Sequence, residues 1–118
     1  MKTTSQQLGQ VAEDLAVRYL QAQGFALMAR NYRHARAEID IIVQKELLLV
    51  FVEVKARSSD RFGLPEAFVT PQQQGLVRAA AEHYIFAQDW AHAIRFDVIA
   101  VLKRKTRVQL THFEDAFY

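Results

Sequence analysis

Apolar residues recur at three- and four-residue spacing early in the chain, at Leu8, Ala12, Leu15, Ala16, Tyr19 and Leu20. That period lines one side of an α-helix and predicts an amphipathic helix over residues 4–23, with Thr4 or Ser5 as its cap and Gly24 just past its end. The pattern then changes. Residues 25–31, 37–43 and 47–56 read as three consecutive strands forming a meander, with a short polar turn around Lys45 and Glu46. Residues 57–71 hold Ser58, Ser59, Gly63 and both prolines, Pro65 and Pro71, and predict a long irregular connection of the kind that often carries function. Leu76, Ala79, Ala80, His83, Tyr84 and Ala87 predict a second helix from residue 72 to about 87. A strand over 94–102 follows and, after a basic turn, a short last strand near 108–113. No repeat, low-complexity tract or linker divides the chain, so the expectation is a single α/β domain over residues 1–118, a central mixed sheet flanked by helices.

The most apolar strand carries the most informative polar residues. Residues 47–54 read LLLVFVEV, β-branched and aromatic enough for a strand buried on both faces. A carboxylate in such surroundings costs several kcal/mol unless it is paired, hydrogen-bonded or bound to a metal, so something must compensate Glu53. Lys55 shares its face, about 7 Å away at strand spacing. A hairpin turning near Glu46 brings Asp40 opposite or diagonal to Glu53. Oxygen ligands from Asp40 and Glu53, completed by a backbone carbonyl and waters, suit Mg²⁺ or Mn²⁺. Such an ion polarises a phosphate and acidifies a water, while Lys55 orients that nucleophile and stabilises phosphoryl charge. Glu13 lies on the shoulder of the first helix's apolar face and is either a third acidic group in this pocket or an exposed glutamate paired with Arg18. A structural reading also stands: Glu53 and Lys55 emerge into solvent and Asp40 forms an ordinary ion pair with Lys55. Spacing alone does not separate the two.

Composition narrows the setting. Fifteen Lys and Arg against thirteen Asp and Glu in 118 residues is too weak an excess to identify a polyanionic partner, so local distribution matters more. The absence of cysteine excludes a disulfide framework and a thiolate metal site. The start MKTTSQQ lacks a secretory segment and no apolar run would cross a bilayer, which leads to the expectation of a cytoplasmic protein without membrane contact. The four histidines show no zinc spacing, and no glycine-rich phosphate loop exists.

The order helix, three-strand meander, helix, strand, with Asp40, Glu53 and Lys55 in place, resembles the PD-(D/E)xK nuclease superfamily and its restriction-endonuclease-like core. More narrowly, the chain resembles the bacterial YraN family, similar to archaeal Holliday junction resolvases. The resemblance rests on Leu8-Gly9 with Glu13, Asp14, Leu15 and Ala16; on Tyr19-Leu20 and Gly24-Phe25; on Arg30-Asn31-Tyr32-Arg33; on Glu38-Ile39-Asp40; on residues 51–55 with Arg57; on Phe62-Gly63; and on Arg95-Phe96-Asp97-Val98. It implies that Glu13, Asp40, Glu53 and Lys55 form a nuclease-like catalytic site, and resolvase-like relatives suggest a homodimer. Two positions depart from the family pattern: Ala37 stands where glycine is usual and Gln73 where the second helix usually offers a lysine, which removes one phosphate-facing charge.

Arg30, Asn31, Tyr32, Arg33 and Arg36, immediately before the Asp40 strand, offer guanidinium and amide donors for phosphates and a ring to stack on an unpaired base. The alternative is a solvated loop whose aromatic residue packs on the core. Arg57 and Arg61, beyond Lys55, are further phosphate contacts, and Gln73 still offers a hydrogen-bond donor. Lys103, Arg104, Lys105 and Arg107 read as a plain solvated hairpin, and Arg95 with Asp97 as a structural ion pair. The resulting expectation is a metal-dependent endonuclease hydrolysing DNA phosphodiesters, possible substrates including branched or repair-related structures. Its alternatives are a non-catalytic nucleic-acid-binding module of the same fold and a protein-interaction domain.

Overall fold

The computed structural model describes residues 5–58 and 69–118. The expected cap Thr4, together with Arg61, Phe62 and Gly63, lies outside them. Helix α1 (Ser5–Ala22) leads into strands β1 (Ala26–His34), β2 (Ala37–Lys45) and β3 (Leu48–Arg57), then helix α2 (Pro71–Ala87) and strands β4 (Ala93–Lys103) and β5 (Val108–Phe117). They form one five-stranded sheet in the order β1-β2-β3-β4-β5. Only β3 and β4 are parallel; the other pairs are antiparallel, so the sheet is mixed as expected. The parallel pair requires a crossover, which α2 supplies.

Among the described residues, one helix covers each face. Ala12, Ala16 and Leu20 of α1 pack on Ile41, Val43, Val50 and Val52, while Val77, Ala80, Ala81 and Tyr84 of α2 pack on Ile39, Ile42, Leu49 and Phe51. Strand β3 therefore feeds alternate residues into two cores, which accounts for its uninterrupted apolar run. Replacing Phe51, fully buried against Tyr84 and Phe96, with alanine would cost about 3–5 kcal/mol. Both helix ends follow from local chemistry. At the end of α1, Phe25 N–H donates to the Leu20 carbonyl and Gly24 N–H to that of Gln21, closing a Schellman motif with Gly24 at φ 96°. At the start of α2, Thr70 and Gln73 form a reciprocal capping box, with Pro71 in the first turn.

Two strands run longer than the sequence pattern predicts. β1 continues through Tyr32 and His34, which alternate with exposed Asn31 and Arg33. The supposed loop at residues 30–36 is thus mostly strand, closed by a two-residue turn at Ala35 and Arg36. Its inward positions are aromatic and imidazole rather than aliphatic, so the period of two is masked. β5 is not short. A left-handed residue, Asp115 at φ 54°, shifts the register with β4, and the strand resumes so that Phe117 pairs with Phe96. That irregularity breaks the alternation where the apolar pattern stops.

Strand directions place several loops together. The end of β3, the β1–β2 turn, the β4–β5 turn and the start of α2 all lie at one end of the sheet, to which Asp40 and Glu53 also belong.

Candidate active site

Asp40 marks a change in strand β2. Ile39 enters the α2-side core and Ile41 the α1-side core, although residues two apart on a regular strand share a face. The chain rolls over between them. The backbone ladder with β3 runs from Lys45↔Leu48 to Ile41↔Val52, and one step further Asp40 stands across from Glu53. There the side chain takes over: Val54 N–H donates to Asp40 Oδ2 at 2.8 Å. On β3, Leu49 and Phe51 face α2, so Glu53 and Lys55 share that face by alternation.

Glu53 is buried, 8 % exposed, and its Oε1 is shielded from solvent without a hydrogen-bond partner. Burial pushes its carboxyl up to about 8, and the neighbouring Asp40 charge adds to the rise. Lys55 and the Asp40 backbone N–H offset only part of it. Asp40 is pushed up to about 6, again chiefly by burial; the Val54 N–H and Lys55 oppose the shift, and Glu13 and Glu38 reinforce it. Two carboxyl groups therefore compete for one charge beside a lysine. Among the described residues, Lys55 closes no ion pair with Asp40 or Glu53. It lines an open cleft with Leu8 and Gly9 of α1 and the β3 residues from Val54 to Ser58. The structural alternative, with Glu53 emerging into solvent and Asp40 paired with Lys55, differs on both counts: Glu53 is buried and that ion pair is not formed.

Glu13 projects from α1 near enough to raise Asp40, but its partners are on β1. Its Oε1 accepts from Asn31 at 3.2 Å and from Arg30 at 3.5 Å, and Arg30 also pairs with Asp14 at 2.9 Å. Asn31 adopts φ 51°, a left-handed conformation that asparagine tolerates. Arg30 and Asn31, expected against phosphates, thus position Glu13 instead. Tyr32 packs edge-on against Tyr84 and its hydroxyl lies 2.6 Å from His83 Nδ1, which is the core-packing alternative. Arg33 and Arg36 are exposed at the β1–β2 turn, with Arg33 3.5 Å from Glu38. Arg57 is exposed beside the cleft. Gln73 spends its Oε1 on the cap of α2, and Arg61 lies outside the described residues.

The donor set fits a hard divalent cation. Asp40 and Glu53 contribute oxygens only, and the orphaned Glu53 Oε1 is a buried acceptor that the protein leaves unmatched. Among the described residues no group of three His, Asp or Glu side chains is assembled as a complete ligand set.

A second polar network was only partly legible. Arg95 forms a bidentate pair with Asp97 at 2.8 and 2.9 Å, as its strand spacing predicts. His112 and Tyr19 extend it: His112 Nε2 lies 2.7 Å from Asp97 Oδ2 and Nδ1 3.0 Å from the Tyr19 hydroxyl, tying β4, β5 and α1 together. His112, expected as an ordinary histidine, has only 8 % of its side chain exposed. The sole sequence signal was its alternation with Leu110 on the last strand, too short to separate it from a surface residue.

A model of the uncharacterised protein family UPF0102 matches residues 12–101. A UPF0102 protein of Flavobacterium psychrophilum is 48% identical over 111 residues, covering 94% of this chain and 93% of its own. One from Christiangramia forsetii is 38% identical over 112 residues, 95% of this chain and 94% of its own. One from Clostridium perfringens is 35% identical over 120 residues, 99% and 98%. These matches bear out the YraN resemblance. No helix among the described residues is long and apolar enough to cross a membrane.

Proposed function

We propose that this chain, which belongs to the UPF0102 family, is a metal-dependent endonuclease that hydrolyses DNA phosphodiesters. The observation that carries the reading is Glu53 Oε1, buried and unpartnered beside a second carboxylate, two residues along β3 from Lys55, which lines an open cleft. Asp40 and Glu53 would hold Mg²⁺ or Mn²⁺. When bound, that ion supplies Lewis-acid polarisation of the phosphoryl group and a readily deprotonated water.

The chain's own residues do the rest. Lys55 presents donors to the attacking water and to phosphoryl oxygens whose negative charge grows as the new P–O bond forms and the ester P–O bond breaks. Asp40, anchored across the strand pair by Val54 N–H, holds its carboxylate beside that of Glu53. Glu13, fixed by Arg30 and Asn31, adds negative potential at the α1 side, suited to orient the nucleophilic water or to hold a second ion. Arg33, Arg36 and Arg57 are the exposed phosphate contacts around the opening. The proposed setting is the cytoplasm, with nucleic acid as partner and a homodimer as the assembly.

Mg²⁺- or Mn²⁺-dependent cleavage of linear, single-stranded and branched DNA by the purified chain tests the reading. Asp40→Ala should abolish cleavage, a loss of more than about a thousandfold or about 4 kcal/mol in barrier, while retaining the fold by circular dichroism. Unchanged cleavage by that variant would sink the mechanism.

A further inference from the structure

The turn between β4 and β5, which the sequence alone reads as a solvated hairpin, joins the candidate active site. Because β3 and β4 are parallel with Arg57 beside Leu102, this turn rises directly next to the end of β3. Ser58 lies in the wall of two adjoining hollows: the cleft containing Lys55 and Arg57, and a second lined by Arg104, Lys105, Thr106 and Arg107. Backbone bonds between Arg104 and Arg107 in both directions hold the turn as a tight hairpin end.

Arg33 and Arg36 occupy the same end of the sheet on the opposite flank. With Lys55, Arg57 and the four cations between residues 103 and 107, eight of the chain's fifteen Lys and Arg lie along this rim. The opposite end, around the β2–β3 turn and the α2–β4 connection, sets Lys45 against Glu46 and Asp89. Glu38, Asp40 and Glu53 share the basic end, so the described cations there exceed the described acids and a net charge of only +2 conceals a polarity along the sheet. Four inter-strand spacings separate β1 from β5, so the rim is about 19 Å wide. That exceeds the ~12 Å of a DNA major groove and reaches phosphates on both of its walls. Single-strand binders rely on exposed aromatic platforms. Among the described residues, Tyr32 packs on the core, and the large exposed aromatics, Phe86 and Tyr118, are on neither basic turn.

We infer that the β4–β5 turn is an outer phosphate-binding site, gripping the backbone of double-stranded DNA laid across the basic rim. The inference rests on the reading of Asp40, Glu53 and Lys55 as a phosphodiesterase site and adds the substrate's form and a second anchoring point. Its test separates binding from cleavage. Anisotropy of a labelled duplex of about 20 base pairs, measured in EDTA over roughly 50–200 mM salt, is compared for the intact chain and Lys105→Gln/Arg107→Gln. The double variant should bind at least tenfold more weakly at low salt, and its log–log salt slope should fall by about 1.8, the share of two lost phosphate contacts. Lys45→Gln, at the far end, should stay within about twofold, and melting curves check that each variant is folded.

Absence of duplex binding by the intact chain, or an unchanged slope and affinity in the folded double variant, overturns the inference. So does equally tight, equally turn-dependent binding of the matched single strand. Turn-dependent duplex binding without metal-dependent cleavage retains this site and defeats the hydrolytic reading; cleavage indifferent to the turn does the reverse.

Discussion

Two buried carboxylates lie on adjacent parallel strands of this sheet, and the protein treats them in opposite ways. Asp97 on β4 is fully buried, yet it receives two hydrogen bonds from Arg95, one from Asp115 N–H and a short contact with His112. Burial would raise its pKa, but the hydrogen bonds from His112 and Arg95 prevail and hold it below the ordinary carboxylate value. Glu53 on β3 is nearly as buried, keeps an unpartnered oxygen and has its pKa driven up. A charge that serves only the fold is neutralised from within. The one left unmatched stands beside a second acid, Asp40, and no group of the fold neutralises its free oxygen among the described residues.

The largest effect that would sharpen this contrast is on the compensated side. Asp97→Ala strands the Arg95 guanidinium and should destabilise the protein by about 3–5 kcal/mol in denaturant titrations. Glu53→Gln in cation-free protein should be neutral or mildly stabilising, and comparable losses from both would erase the distinction. The pH response should also differ in sign. Unfolded, Glu53 releases its proton near 4.5; folded, near 8. Between those values the native state holds more protons, so cation-free stability falls as pH rises, by up to about 1.4 kcal/mol per unit. Asp97, with its depressed pKa, contributes stability above its ordinary value of 3.8 that is lost as pH falls through its folded value. Urea midpoints across pH 4.5–8 should decline for the intact chain; in Glu53→Gln the decline should flatten above about pH 6 and persist below it, where the raised Asp40 carboxyl still titrates.

Cation binding provides the next test. Mg²⁺ or Mn²⁺ at about a hundred times its dissociation constant should stabilise the protein by about 2.7 kcal/mol, read as an upward melting shift. Glu53→Gln should blunt that shift, whereas Tyr19→Phe should retain it. The latter loses only the contact with His112 and should cost about 1 kcal/mol at all cation concentrations. A cation response that disappeared in Tyr19→Phe instead would mean that the two carboxylate regions are not independent.

Much of this was legible along the chain because it depends on near neighbours. Helical period, the Gly24 stop and the apolar run of β3 are local signals, and strand alternation alone places Glu53 and Lys55 on one face. The short turn at Glu46 was enough to bring Asp40 across from Glu53. The ends of β1 and β5 were not legible, since Tyr32, His34 and His112 fill inward positions with polar rings and Asp115 interrupts the alternation. Nor was the partnership of Arg30 and Asn31 with Glu13, which requires α1 to cross β1.

The chain's pattern of apolar and polar residues decides that an α/β sheet forms and that two acids and a lysine meet near its middle strands, because period and turn length are properties of consecutive residues. Which buried acid goes unpaired, and which basic turns stand beside it, depends on strand order and direction. Asp97 finds His112 and Tyr19 only once β5 and α1 dock on β4. The cations at residues 103–107 stand beside the end of β3 only because β3 and β4 run parallel. Burial and charge proximity are set by residues distant in sequence, so the imbalance at Glu53 emerges only from the packed molecule.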